Sequence, residues 1–245
     1  MRVLLLCMMF PIFAVAADRT IDGFEPYVYR NARGETMPYR LFVPRGYTSD
    51  KRYPLVIWLH GAGGAGRDNR AQISGDQISG TRIWTKAENQ AKYPTFVLVP
   101  QSPANWIDRT DELSPGIRLV LEILDSVKAR LSVDDARIYV AGQSDGGYGT
   151  WNAITQRPDV FAAAVPLCGG SDPRMAVRIA AMPLWVFHGR KDMVIPVTQS
   201  REMIEAIQQA GGRPRYTEYD RLGHDIWKRT FKEPDIVSWL FAQHK

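Results

Sequence analysis

Cysteine is nearly absent from this 245-residue chain: Cys7 and Cys168 are the only two. Cys7 falls in an N-terminal stretch that reads as removable, so no internal disulfide is expected to hold the fold. Long basic runs are missing as well. The formal net charge is +5, but Lys and Arg are spread along the chain, which argues against a nucleic-acid partner. No apolar stretch reaches the roughly 18–20 residues that a membrane-spanning helix needs, so stable membrane anchoring is not expected. There is no H-x-x-x-H pair and no cysteine cluster, so no metal centre is expected. No G-K-[ST] occurs either, which removes the usual phosphate loop.

What is present begins with "MRVLLLCMMFPIFAVAADRT": a basic Arg2, an apolar run from Val3 to Val15 broken by Pro11, and Ala14-Val15-Ala16 as an A-x-A cleavage site. This is the pattern of a secretory signal peptide over residues 1–16, leaving 17–245 as a single domain in a secreted or periplasmic protein. Beyond it, Met37–Pro44 reads as an edge strand, and short apolar runs recur at Pro54–His60, Thr95–Pro100, Ala136–Gly142, Phe161–Cys168, Met182–His188 and Arg215–Tyr219. Helical patterns at Gly116–Arg130, Gly147–Gln156, Val197–Ala210 and Glu233–Gln243 alternate with them. Nearly all-apolar strands alternating with helices predict an α/β fold with a mostly parallel sheet covered on both faces, its ligand site at the strand carboxyl ends.

The stretch "LVIWLHGAGGAGRDN" matches the dinucleotide fingerprint G-x-G-x-x-G at Gly61, Gly63 and Gly66. A dinucleotide loop needs a helix opening at its third glycine and an acidic strand end about twenty residues later. Here "RDNRAQISGDQISG" follows with two more glycines, and the next strong strand ends in Pro100-Gln101-Ser102. No nucleotide or other cofactor is therefore expected.

A second glycine motif fits its surroundings. In "ARIYVAGQSDGGYGTW" an apolar strand runs into Gly142-Gln143-Ser144-Asp145-Gly146 and then into a helical pattern. That is G-x-S-x-G at a strand–turn–helix junction, which holds a nucleophilic serine out at the top of a sheet. Such a serine needs a base and an orienting carboxylate, in the chain order Ser, acid, His. Asp192, just past the strand end in "WVFHGRKDMVIP", and His224, in the polar loop "DRLGHDIW", supply them, giving Ser144, Asp192 and His224 as the candidate catalytic set. Asp220 and Asp225 are the rival acids, and His188 is expected to pack or hydrogen-bond beneath the site.

Attack on an ester carbonyl builds an oxyanion that two backbone N–H groups stabilise. Asp145, following the nucleophile, is one expected donor; Ala62 in "HGAGGAG" is the other, with Gly63 close behind. The Asp145 carboxylate would oppose that charge unless it turned away or met a cation. Trp84, Trp106, Gly63 and Tyr148 are candidate pocket residues, Trp106 foremost, and Cys168 reads as a buried structural thiol.

The segments "YRLFVPRGY", "PLVIWLHGAGGAGRDN", "FVLVPQ", "GQSDGGYGTW", "HGRKDMVIP" and "GHDIW" together resemble the α/β-hydrolase superfamily. More narrowly, they resemble its secreted carboxylesterase/phospholipase or "predicted peptidase" branch, related to feruloyl esterases, acetyl xylan esterases and polyhydroxybutyrate depolymerases. The resemblance runs from Tyr39 to the C-terminus and implies a three-layer α/β-hydrolase fold. It also implies a serine esterase acting through an acyl-enzyme on short acyl or aryl esters, small or polysaccharide-linked. A serine peptidase of prolyl-oligopeptidase type and a non-catalytic binding protein on the same scaffold are the alternatives. The common residue after the nucleophile in that branch is uncharged, so Asp145 is a departure from it.

Overall fold

The computed structural model describes residues 20–107 and 112–245. The expected leader, residues 1–16, lies outside the described residues. Eight strands form one sheet: β1 (Phe24–Arg30), β2 (Thr36–Phe42), β3 (Tyr53–Leu59), β4 (Phe96–Pro100), β5 (Val133–Gln143), β6 (Ala163–Leu167), β7 (Trp185–Gly189) and β8 (Arg215–Tyr219). Their spatial order is β1-β2-β4-β3-β5-β6-β7-β8. The pairs β1·β2 and β2·β4 are antiparallel, and every pair from β4 to β8 is parallel.

The helices are α1 (Ile78–Thr85), α2 (Ala87–Lys92), α3 (Pro115–Lys128), α4 (Asp145–Gln156), α5 (Thr198–Gln209), α6 (Trp227–Thr230) and α7 (Ile236–Phe241). Strand alternation assigns them to two faces. In β3, Leu55, Ile57 and Leu59 join one core with Ile117 and Leu124 of α3, Trp151 and Ile154 of α4, and Met203 and Ile207 of α5. Val56 and Trp58 of the same strand join the opposite core with Trp84 of α1, Trp227 of α6 and Leu240 of α7. Because β3 is buried along its whole length, its sequence is continuously apolar rather than alternating. This is the three-layer arrangement expected of the α/β-hydrolase fold. Among the described residues no helix is long and apolar enough to cross a membrane.

Two local readings need correction. The strand expected at the sheet edge, β2, lies between β1 and β4; β1 is the edge. In β1, "FEPYVYR" carries Pro26 inside a half-exposed run, which weakens its strand signal but is tolerated where one side of the ladder has no partner. Trp84 is fully buried in the second core, edge-on to the Phe231 and Phe241 rings. Its α1 was hidden because "ISGTRIWT" contains Gly80, a poor helix former that the fold requires: a Cβ there would lie 1.9 Å from the Trp58 ring.

Candidate active site

The turn between β5 and α4 places Ser144 at φ 56°, ψ −118°, a conformation costly for a side-chain-bearing residue and sustained only by its surroundings. Those surroundings explain the glycines. A Cβ on Gly142 would lie 2.2 Å from the Gly146 carbonyl oxygen, and one on Gly146 would lie 2.1 Å from that of Leu59. The Ser144 N–H donates to Leu167 O at the end of β6 (2.9 Å), pinning the turn to the sheet. Ser144 Oγ therefore stands at the carboxyl edge, where ligands meet such sheets.

His224, in the loop after β8, places Nε2 2.9 Å from Ser144 Oγ and Nδ1 2.7 Å from Asp192 Oδ2. Of the three acids considered, Asp192 is the one that meets the imidazole; Asp220 instead pairs with Arg190 at 3.2 Å. Asp192 Oδ1 accepts the N–H groups of Val194 (2.9 Å) and Ile195 (2.8 Å). Burial raises the Asp192 pKa, but the His224 hydrogen bond and these two N–H groups outweigh it, and the carboxyl ends below its usual value. With Asp192 holding Nδ1–H, Nε2 presents its lone pair to the Ser144 hydroxyl, the tautomer a general base needs.

The glycine loop after β3 lies against this serine. A Cβ on Gly61 would come 3.4 Å from Ser144 Cβ. Ala62 opens a short 3-10 turn over Ala62–Gly64, and Asp145 opens α4. As the first residues of their helices, both have backbone N–H groups that no intrahelical carbonyl can reach. Gly63 is exposed on the same turn.

Three polar side chains that the sequence reading passed over hold the loop. Gln77 Oε1 accepts Gly61 N–H (2.8 Å), and Gln101 Nε2 donates to Gly64 O (3.2 Å). His60 is fully buried; its Nε2 accepts Ser102 N–H (3.0 Å), which leaves Nδ1–H to donate to Gly61 O (2.8 Å). Burial pushes the His60 pKa down to about 4, so it stays neutral in that tautomer. The only local signal was polarity at the end of an apolar strand, as in His60 and Gln101, which is ambiguous without the partner.

The Asp145 carboxylate meets Trp106, its Oδ2 accepting the Trp106 N–H at 3.1 Å. Among the described residues it forms no ion pair with Arg or Lys. Burial raises its pKa to about 6, partly offset by that N–H. Trp106, the foremost pocket candidate, borders a cavity of about 610 Å³ together with Pro103 and Leu119. Its indole is fully buried, donates Nε1–H to His60 O (2.8 Å) and packs on the His60 ring at 4.7 Å between centroids. Trp106 thus ties the chain after β4 to the start of the glycine loop. Tyr148, one helical turn beyond Ser144, is half-buried and donates its hydroxyl to Gln199 Oε1 (2.5 Å). With Gln199, Asn152, Ser171 and Met175 it lines a cavity of about 230 Å³.

One cluster could in principle hold an ion: ligand atoms of Cys168, His188 and Asp192 lie within 4.8 Å of one another, all buried. Its atoms are already engaged. Asp192 carries the hydrogen bonds above, His188 Nε2 faces Ile195 O (3.0 Å), and burial pushes the Cys168 thiol up, keeping it protonated. A metal would need the thiolate.

Comparison with known proteins agrees with this geometry. The Prolyl oligopeptidase family matches residues 119–181, from within α3 through β5, α4 and β6 and past the 3-10 segment Pro173–Arg178. The chain is 28% identical over 202 residues to an Aspergillus niger protein named "Probable feruloyl esterase C", covering 78% of this chain and 68% of that one. It is 32% identical over 138 residues to poly(3-hydroxyalkanoate) depolymerase C of Paucimonas lemoignei, covering 52% and 30%. A crystal structure of a thermostable esterase superposes with a TM-score of 0.87 at 37% identity, over 92% of this chain and 64% of that one. This chain thus spans somewhat less than two thirds of that esterase's length. Sheet order, the strained serine turn and these matches agree: the chain belongs to the α/β-hydrolase superfamily.

Proposed function

We propose that this protein is a serine esterase that hydrolyses short acyl or aryl carboxylic esters, of the acetyl or feruloyl type, through an acyl-enzyme. The observation that carries this reading is the unbroken chain Ser144 Oγ–His224 Nε2 and His224 Nδ1–Asp192 Oδ2, at 2.9 and 2.7 Å. In the first step His224 takes the Ser144 proton as Oγ attacks the carbonyl, and the Ala62 and Asp145 N–H groups receive the oxyanion. Collapse expels the alcohol with the proton from His224, and water repeats the sequence to free the acid.

Two cavities support this substrate class. The cavity beside Tyr148 is rimmed by amides and hydroxyls, which suits a hydroxyl-bearing alcohol such as a sugar. On the other side of Ile107, a cavity of about 610 Å³ is bordered by Met37, Pro103 and Leu119, a setting for an apolar or aryl acyl group. The esterase names among the relatives favour the same chemistry. We also infer export, from the signal-type pattern of residues 1–16.

The test is turnover of p-nitrophenyl acetate to octanoate, methyl ferulate, acetylated xylan and a peptide anilide by the protein and its Ser144→Ala variant. Ester turnover that falls by about 10⁴–10⁶ in kcat on substitution is expected. The match to the Prolyl oligopeptidase family keeps a peptidase as the second reading, and anilide turnover at a rate comparable to the esters would select it. A variant retaining more than about a tenth of the activity would remove Ser144 from the chemistry.

A further inference from the structure

His188 ends β7 with its imidazole fully buried, in a place the triad mechanism does not use. Its Nε2 lies 3.0 Å from Ile195 O and 3.3 Å from Asp192 Oδ2. A carbonyl and a carboxylate only accept, so Nε2 carries a hydrogen. Its Nδ1 lies 2.8 Å from Ser200 Oγ on α5, a hydroxyl that also reaches Gly169 O at 2.8 Å. Burial lowers the His188 pKa, which favours the neutral ring; Nε2–H then bonds Ile195 O with Asp192 Oδ2 beside it, and on the other side Nδ1 and Gly169 O share the single Ser200 hydroxyl hydrogen.

Asp192 Oδ2 therefore faces two imidazoles, His224 Nδ1–H at 2.7 Å and His188 Nε2–H at 3.3 Å. The chain arranges this within one turn. His188 and Asp192 are four residues apart in "HGRKD", and between them Gly189 is packed so tightly that a Cβ would lie 2.0 Å from Gly223 O, the residue before His224. Both partners of the carboxylate are thus fixed relative to each other by the end of β7.

We propose that His188 is a positioning residue of the triad, its Nε2–H shared between Asp192 Oδ2 and Ile195 O so as to fix the carboxylate and moderate its pull on His224. This rests on the hydrolase reading of the site. A second donor on Oδ2 disperses the carboxylate charge that faces His224, so its removal strengthens the pull of Asp192 on that imidazole. Removal also leaves Ile195 O and Oδ2 facing each other with no hydrogen between them, which loosens the turn that aims Asp192. The other groups facing the pair are the Cys168 thiol from the end of β6, kept protonated by burial, and Asp225 beside His224. Neither Cys168 nor Asp225 provides a compensating cation.

The experiment compares His188→Leu, His188→Gln and His188→Asn in the full protein. Gln can place an amide N–H near the Nε2 position, whereas Asn reaches only the Nδ1 position. The readouts are kcat/KM against pH with p-nitrophenyl acetate and the low-field proton resonance of His224 Nδ1–H in the resting protein. For His188→Leu the acid limb is expected to move up by about 0.5–1 pH unit, with kcat at the plateau down about tenfold or more and KM within about threefold. His188→Gln is expected to restore the limb and the resonance, and His188→Asn to leave them displaced. An unmoved limb and resonance in a folded His188→Leu protein would overturn the proposal. If that variant fails to fold, identical limbs and resonances in the Gln and Asn variants would overturn it. Wild-type turnover that survives Ser144→Ala would instead overturn the hydrolase reading, and the resonance comparison would still judge the His188 contact by itself.

Discussion

Asp145→Asn isolates the cost of placing a carboxylate at the start of the nucleophile helix. Burial lifts the Asp145 pKa from 3.8 to about 6, while its Oδ2 accepts a hydrogen bond from Trp106 N–H. Two pH units at about 1.36 kcal/mol each set a ceiling near 3 kcal/mol. Because the side chain is partly open to solvent, about 1–2 kcal/mol is the better expectation. The sign follows from the raised folded value: the stabilising contribution of Asp145 is complete below the unfolded carboxyl pKa and is lost as pH rises through about 6. An Asn keeps the oxygen that accepts Trp106 N–H but cannot ionise. Asp145→Asn should therefore match the parent below about pH 4 and exceed it at pH 8, by roughly 2–8 °C in Tm for a chain of this size. Thermal unfolding followed by circular dichroism across pH 4–8 measures it. A Tm difference that is independent of pH, or a variant less stable at pH 8, would refute the account. Activity should move the same way: removing the negative charge beside the proposed oxyanion donor should raise kcat at pH 8 by a few-fold.

Three further outcomes are expected. Gly142→Ala and Gly146→Ala should each cost several kcal/mol or abolish soluble protein, since the added Cβ would meet backbone carbonyl oxygens at 2.2 and 2.1 Å, and urea denaturation reports it. Asp192→Asn should lower kcat by about 10⁴ with little change in KM, because an amide in place of the carboxylate lets His224 adopt the wrong tautomer; steady-state ester kinetics decide it. The Cys168 thiol, buried and with its pKa pushed up, should be silent to a disulfide reagent in the native protein and react at once in denaturant.

Much of the site was legible in short windows of sequence. The strained turn announces itself because it needs glycine two residues either side of Ser144, Gly142 packing on the Gly146 carbonyl and Gly146 on that of Leu59, and the order Ser144, Asp192, His224 follows from which strand ends carry suitable groups. The choice of Asp192 over Asp220 and Asp225 was harder, because all three lie on loops at the same sheet edge. What decides it is the Val194 and Ile195 N–H groups that cradle Asp192 and turn its other oxygen to His224.

Sequence alone determined the layered α/β fold, since continuous apolar strands alternating with amphipathic helices leave few other ways to bury both sheet faces. It also determined the serine turn and the glycine loop beside it, because close backbone packing there leaves room only for glycine and so writes both motifs into the chain. Only the tertiary structure decided which half-polar residues face inward. β1 becomes an edge by pairing with β2, Trp106 becomes an anchor by reaching His60 O, and His60 acquires a fixed tautomer from Ser102 N–H. The turn of Asp145 toward Trp106 and the convergence of His188 on Asp192 belong to the same class. Each depends on a partner from another segment, and a buried polar group shows its role only through the hydrogen-bond partner that lets it be buried.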